Sequence, residues 1–351
     1  MICGSIPCCV KSMKEIGSEF APEPLGRKRN PLHGGVTFTL SGRTALGVVL
    51  RDMDARSGKA LLPDWCCSSM VEPFRAAGLT VEFYAVDSGK APAIPADCTI
   101  LLRCGYFGYA DSWDWENPED FRRRGGVVIE DITHSLFSEV PCHGESDYLV
   151  ASLRKWGALL CGGLCVKKGG SLRAELTQPP RDFLDVRREA MTLKANYLRE
   201  GDPLQKERFR ALFTQSSEWL SQHWQGMAMD EQSLEMLSRW DIGELRRRRR
   251  ENARFLHTVL EASELVRPLY TLREGDCPLF VPVRVMGGRR DELQRRLIDR
   301  GIYCPIHWSR PMENCRSERY DTELSLVCDQ RYDLEDMTRI IEVIEDERHL
   351  F

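Results

Sequence analysis

From Ser41 to Ser152 the chain repeats one pattern: a short, almost uninterrupted apolar run, then a stretch with helical spacing, then another apolar run. The runs are residues 60–63, 80–86, 99–102, 126–131 and 148–152. The helical stretches include residues 44–53, with Ala45, Leu46, Val49 and Leu50 as the apolar set, and residues 68–77, closed by Gly78. Short runs without polar alternation suit strands covered on both faces, and strands separated by helices join in parallel. The pattern therefore predicts an α/β chain with a mostly parallel central sheet and helices on both faces. In such sheets the chemistry gathers in loops beyond the carboxyl ends of the strands, which is where Asp131 and Ser152 fall.

Beyond about residue 170 the character changes. Charged helical stretches at 207–224 and 242–262 precede a strand at 279–285, a helix at 290–299 and a terminal helix at 333–347. The predicted organisation is an irregular lead-in (1–35), a large α/β domain (36–225) and a smaller C-terminal α+β domain (226–351). A chain of 351 residues can build both around cores that need no cross-links.

Composition narrows the function classes. Forty-nine basic and 53 acidic side chains leave a formal charge of −4, which gives no reason to expect nucleic acid as a partner. No run approaches the roughly 20 apolar residues of a membrane span. Residues 1–20 lack a signal-like apolar run and carry Glu15 and Glu19, so a cytoplasmic address is expected. Of the 14 cysteines, those within apolar stretches, such as Cys98 and Cys165, read as small buried hydrophobes. Cys3, Cys8 and Cys9, the pair Cys66 and Cys67, and Cys161 with Cys165 cluster without paired CxxC spacing, so no metal site is expected. The five arginines from Arg246 to Arg250 point all around a helix and are read as a solvated surface. Trp113, Trp115, Trp219 and Trp224 are read as core or interface anchors, and Gly287-Gly288 as a turn.

Three segments carry chemistry. In Ser152-Leu153-Arg154-Lys155-Trp156, a lysine follows a buried strand, where a partly desolvated amine can form a Schiff base with an aldehyde cofactor. A solvated lysine at a strand end is the plainer alternative. Twenty-four residues earlier, Asp131 ends an apolar run, placed to pair with a pyridinium nitrogen or simply to cap a helix. Upstream, Ser41-Gly42-Arg43-Thr44 opens the first helix, whose amides and dipole favour an anion; Arg43 suits a phosphate and equally a surface position.

In this order and spacing the three segments resemble the DegT/DnrJ/EryC1/StrS family of sugar aminotransferases, pyridoxal-phosphate enzymes of fold type I. The resemblance continues through Leu62-Pro63-Asp64-Trp65-Cys66-Cys67, Val71 to Gly78, Tyr106-Phe107-Gly108, Pro305-Ile306-His307-Trp308 and Cys328-Asp329-Gln330-Arg331-Tyr332, from about residue 36 to 345. It implies pyridoxal 5'-phosphate as cofactor, held by Lys155 in a Schiff base that also makes Lys155 the proton shuttle. It implies Asp131 at the ring nitrogen, and His134, where the family often has Gln or His, near the ring hydroxyl. Gly42, Arg43 and Ser152 would hold the phosphate, and His307 would lie on the substrate side. The ring-stacking position near Pro63 is occupied by Cys67, which leaves Trp65 as the aromatic candidate. Asn196, 41 residues beyond Lys155, stands where the family reaches the neighbouring subunit's phosphate, but the flanking Gly and Tyr-Arg of that motif are altered. The resemblance thus implies a homodimer moving an amino group from an amino acid, glutamate foremost, to a keto sugar on a nucleotide carrier. A lyase or dehydratase using the same cofactor and a noncatalytic binding subunit are the alternatives; Lys155 weighs against the histidine-bearing dehydratase variant, and the Lys155/Asp131 pair weighs against the binding subunit.

Overall fold

The computed structural model describes residues 14–22, 26, 34–86, 93–110, 118–139, 146–310 and 315–348. Cys3, Cys8, Cys9, Trp113, Trp115 and most of the lead-in lie outside them. The chain runs β1 (Ile16–Gly17), β2 (Val36–Thr39), α1 (Gly42–Asp52), β3 (Lys59–Pro63), α2 (Ser68–Ala76), β4 (Thr80–Tyr84), β5 (Cys98–Cys104), α3 (Glu119–Arg123), β6 (Val127–Asp131), β7 (Tyr148–Ser152) and β8 (Gly163–Lys167). Four helices follow, α4 (Arg181–Glu200), α5 (Pro203–Gln222), α6 (Glu231–Ser238) and α7 (Ile242–Leu260). The remainder is β9 (Val266–Pro268), β10 (Val281–Val285), α8 (Arg290–Asp299), β11 (Ile302–Tyr303), α9 (Arg319–Thr322), β12 (Glu323–Leu326) and α10 (Leu334–Arg348).

The central sheet has seven strands in the order β2-β8-β7-β6-β5-β3-β4, and only β8 runs against its neighbours. Its middle strands are the apolar runs of the sequence. Leu101, Leu102, Val128, Ile129 and Val150 are buried, each such side chain contributing roughly 1.5–3 kcal/mol relative to exposure. A second sheet, β12-β10-β9, is antiparallel, and α7, α8 and α10 share its core.

Two expectations are corrected. The lead-in is not wholly irregular, since Ile16–Gly17 pairs in parallel with Ile302–Tyr303 and the Ile16 side chain is buried in the second core. The arginine run is not wholly solvated. Arg247 and Arg248 do pair with Glu244 on the helix surface, but Arg249 is buried. Its Nε donates to Gln330 Oε1 (2.8 Å), its Nη1 donates to the carbonyls of Pro278 (3.3 Å) and Leu279 (2.9 Å), and its guanidinium lies 4.7 Å over the Trp156 ring. The ten described cysteines are free thiols, all buried except the half-buried Cys67. Among the described residues no helix is long and apolar enough to cross a membrane.

Candidate active site

The carboxyl ends of β3, β5, β6 and β7 open onto one cleft of about 160 Å³, shared with the start of α1. Strand order places it: β4 lies on one side of β3 and β5 on the other, and a sheet wound both ways leaves a crevice at that reversal.

Lys155 ends a single 3-10 turn, Leu153–Lys155, directly after β7. Trp156 locks that turn from the interior: its Nε1 donates to the Thr133 carbonyl (2.7 Å), and its own carbonyl accepts from Gln330 Nε2 (2.8 Å). Lys155 Nζ stands 3.0 Å from His134 Nε2. On its other edge His134 Nδ1 accepts the Phe107 backbone N–H (3.3 Å). Burial, with Lys155 and His307 nearby, holds the His134 imidazole well below its usual range, so the ring is neutral with one proton. The Phe107 amide assigns that proton to Nε2, where it faces Lys155.

Phe107 is fixed in its turn. It sits at φ 55° and Gly108 at φ 86°, the left-handed region that a bulky residue enters only under constraint. The Phe107 carbonyl accepts from Leu279 N–H (2.9 Å), and the Gly108 carbonyl from Ser138 Oγ (2.8 Å). A Cβ on Gly108 would lie 2.1 Å from the Cys277 carbonyl oxygen.

Asp131 faces the cleft because side chains alternate along β6. Glu130, the neighbouring acid, turns the other way into the interior, where it faces Arg103 of β5 (3.8 Å, both almost fully buried) and accepts from Ser146 Oγ (3.0 Å). Asp131 Oδ1 accepts from the Thr133 N–H (2.8 Å). Burial pushes the Asp131 carboxyl up, while hydrogen bonds from Thr133 and the charge of Lys155 pull it down. Thr133 also ties the two strand ends together, its Oγ1 accepting from the Ser152 N–H (2.9 Å).

The start of α1 lies directly on the ends of β7 and β8. A Cβ on Gly163 would come 2.2 Å from the Ser41 carbonyl carbon, and one on Gly42 would come 3.1 Å from Ser152 Cβ. Ser41 caps the helix by accepting from the Thr44 N–H (3.1 Å), and Thr44 Oγ1 donates to the Trp224 carbonyl (2.6 Å). Arg43 lines the cleft but is held by Glu72 (3.0 Å) and the Ser221 carbonyl (3.3 Å). Arg154 lines it too, and its Nε is buried without a hydrogen-bond partner among the described residues. An orphaned guanidinium N–H beside the amides of a helix start is satisfied by an anionic group. The residues therefore fit pyridoxal phosphate: an anion cradle at one end, an acid for the ring nitrogen, and an amine for the aldehyde.

Of the residues singled out in the sequence, Gly42, Arg43, Cys67, Asp131, His134, Ser152 and Lys155 meet on this cleft. Trp65 does not reach it. That ring is fully buried, stacked on Tyr106 (4.8 Å between centroids), with Nε1 donating to the His307 carbonyl (2.7 Å). The aromatic rings on the cleft wall are Tyr106 and Trp308. Asn196 sits on α4, accepts from Arg199 (2.6 Å) and lines neither this cleft nor the adjoining cavity. His307 lines that second cavity, about 820 Å³, which shares Ser152, Arg154 and Lys155 with the first. Thr133 was missed in the sequence; its signal is a polar side chain between Asp131 and His134, two residues after the first and one before the second.

The fold, a mostly parallel central sheet with helices and a smaller second sheet, is that of sugar aminotransferases of known structure. No family model matches the sequence, and no curated protein does. Among solved structures, the aminotransferase PseC of Helicobacter pylori, involved in the biosynthesis of pseudoaminic acid, is similar with a TM-score of 0.67 at 13% identity, covering 96% of this chain and 100% of that one. The sugar aminotransferase CalS13 of Micromonospora echinospora gives 0.58 at 17%, over 89% and 87% of the two chains. DesI, solved in the presence of its TDP-sugar product, gives 0.62 at 15%, over 88% and 79%.

Proposed function

We propose that the protein is a pyridoxal-phosphate-dependent aminotransferase, working in the cytoplasm as a homodimer, that moves an amino group from an amino acid donor to a keto sugar on a nucleotide carrier. The observation that carries this reading is Lys155 Nζ, 3.0 Å from a neutral His134, on the same cleft as Asp131. Bound there, the cofactor would supply an electron sink for the carbon that gains or loses the amine. Lys155 is the residue that holds its aldehyde end, and Nζ moves the proton at the reacting carbon. Asp131 offers a carboxylate to the ring nitrogen. The amides of α1, Ser152 and the unsatisfied Arg154 hold the phosphate. His134 Nε2–H orients Nζ, and Trp308, whose ring lies 5.8 Å from Nζ, closes one side. The sugar-aminotransferase neighbours support the substrate class, and DesI supports a nucleotide carrier for it. Glutamate is the donor the family resemblance implies, and Asn196 is the residue it assigns to a second copy's phosphate.

The test is the donor half of the reaction. Glutamate added to the cofactor-loaded protein is expected to bleach the lysine-linked absorption band and release 2-oxoglutarate stoichiometrically. If no amino acid does this while the band persists, the aminotransferase reading fails.

A further inference from the structure

Behind the substrate side of Lys155, His307 is held by two residues of the second sheet. Its backbone N–H donates to Glu323 Oε2 (2.7 Å) and its Nδ1 lies 2.8 Å from Ser325 Oγ. Ser325 Oγ is in turn bonded to Glu323 Oε1. Glu323 and Ser325 are fully buried and His307 nearly so. Phe107, Phe280 and Trp308 enclose the imidazole with centroids 5.1–5.2 Å away. Nε2 makes no bond among the described residues, and the ring lines the larger cavity beside Lys155.

Three groups in series allow two proton arrangements. With Glu323 as carboxylate, Ser325 must donate to it, so Nδ1–H donates to Ser325 and Nε2 faces the cavity as an acceptor. With Glu323 protonated, its O–H donates to Ser325, Ser325 donates to Nδ1, and Nε2–H faces the cavity as a donor. The ring is neutral in both, as its surroundings demand: burial and Lys155 hold His307 well below its usual range. The His134 ring, 5.9 Å away, is likewise neutral. Burial pushes Glu323 up to about 8 against the pull of Ser325, the His307 amide, Arg290 and Arg319, so both arrangements are within reach of working pH.

We propose that Glu323 and Ser325 are positioning residues that set which hydrogen-bonding role His307 Nε2 presents to a substrate hydroxyl beside Lys155. A hydroxyl is the common neutral group that meets both states, since it donates and accepts. The substrate of this cavity therefore carries a hydroxyl near the reacting centre, as a sugar does. This rests on the aminotransferase reading for the identity of the substrate, and on the relay geometry alone for the switch.

The experiment is ¹⁵N NMR of the histidine rings in the full-length protein, without substrate, from pH 6 to 10. In the wild type the His307 proton is expected to move from Nε2 to Nδ1 as Glu323 ionises. In Glu323→Gln the His307 amide keeps the side-chain oxygen where Oε2 was, so the amide N–H₂ donates to Ser325 and the proton stays on Nε2 at every pH. Ser325→Ala, a second variant, uncouples the ring, with no switch and a KM for the keto substrate raised on the order of tenfold, the loss of one hydrogen bond, while kcat changes less. A single His307 tautomer throughout in the wild type, or a Glu323→Gln protein that titrates like the wild type, overturns the proposal. A switch in a protein that transfers no amine would instead sink the functional reading and leave the relay standing.

Discussion

The chemistry turns on which atom carries which proton. His134 is neutral because burial and two nearby groups disfavour its cation, and its proton points at Lys155 because Phe107 occupies the other nitrogen. A histidine held below its ordinary range contributes stability that is complete above about 6.5, the unfolded value, and is lost as pH falls below it. His134→Gln keeps a polar partner for Lys155 without that titration. The wild type is expected to lose stability below pH 6.5 more steeply than the variant, by about 1.4 kcal/mol per pH unit, measured by chemical denaturation at several pH values. Equal slopes would show that His134 is not the buried neutral ring described here. Glu323 works with the opposite sign: raised from 4.5 to about 8, it contributes stability that is complete below about 4.5 and is lost progressively as pH rises to about 8, and Glu323→Gln removes this loss. Lys155 and Asp131 were legible in the sequence as site candidates because one closely follows and the other ends an apolar run, and strand ends locate a cleft without knowledge of packing. Trp308 was not legible as a site feature, because a ring 153 residues beyond Lys155 meets it only through the fold.

At the scale of elements, two contacts decide whether the site is shaped. Arg103 on β5 and Glu130 on β6 stand opposite each other in the sheet and form a buried pair immediately behind the cleft. Arg103→Met leaves the Glu130 carboxylate without its cation and is expected to cost about 3–5 kcal/mol, most of it recovered in Arg103→Met with Glu130→Leu. A neutral single variant in urea denaturation would contradict this. Gly163 lets α1 start on the sheet; Gly163→Ala drives a Cβ into the Ser41 carbonyl. Cofactor affinity is expected to fall tenfold or more, about 1.4 kcal/mol, in a spectroscopic titration, with far-ultraviolet circular dichroism unchanged. The parallel strands were readable because each is an apolar run between helical stretches. The edge strand β2 and its neighbour β8 escaped notice: Val36–Thr39 is only half apolar and Gly163–Lys167 sits among glycines, so neither carries the pattern that marks a covered strand. They pair through partners far apart in the chain, and only the closed sheet makes them strands.

The whole molecule joins its second sheet to the first at the turn that bears Lys155. Arg249 of α7 covers the Trp156 ring and bonds Gln330, which bonds the Trp156 carbonyl. His307 enters from the same side, with Glu323 and Ser325 behind it. The basic run that seemed only a solvated helix thus contributes its fourth arginine to holding the turn that carries Lys155, a role hidden in sequence because consecutive arginines on a helix look alike until one is buried. All of this converges on one amine in one cleft. The most direct measurement is the visible absorption spectrum of the purified protein with pyridoxal phosphate, beside Lys155→Ala. A lysine-linked band is expected in the wild type and absent from the variant, although the variant still binds the cofactor through its phosphate cradle. The same spectrum in both proteins, or no band in either, would contradict this.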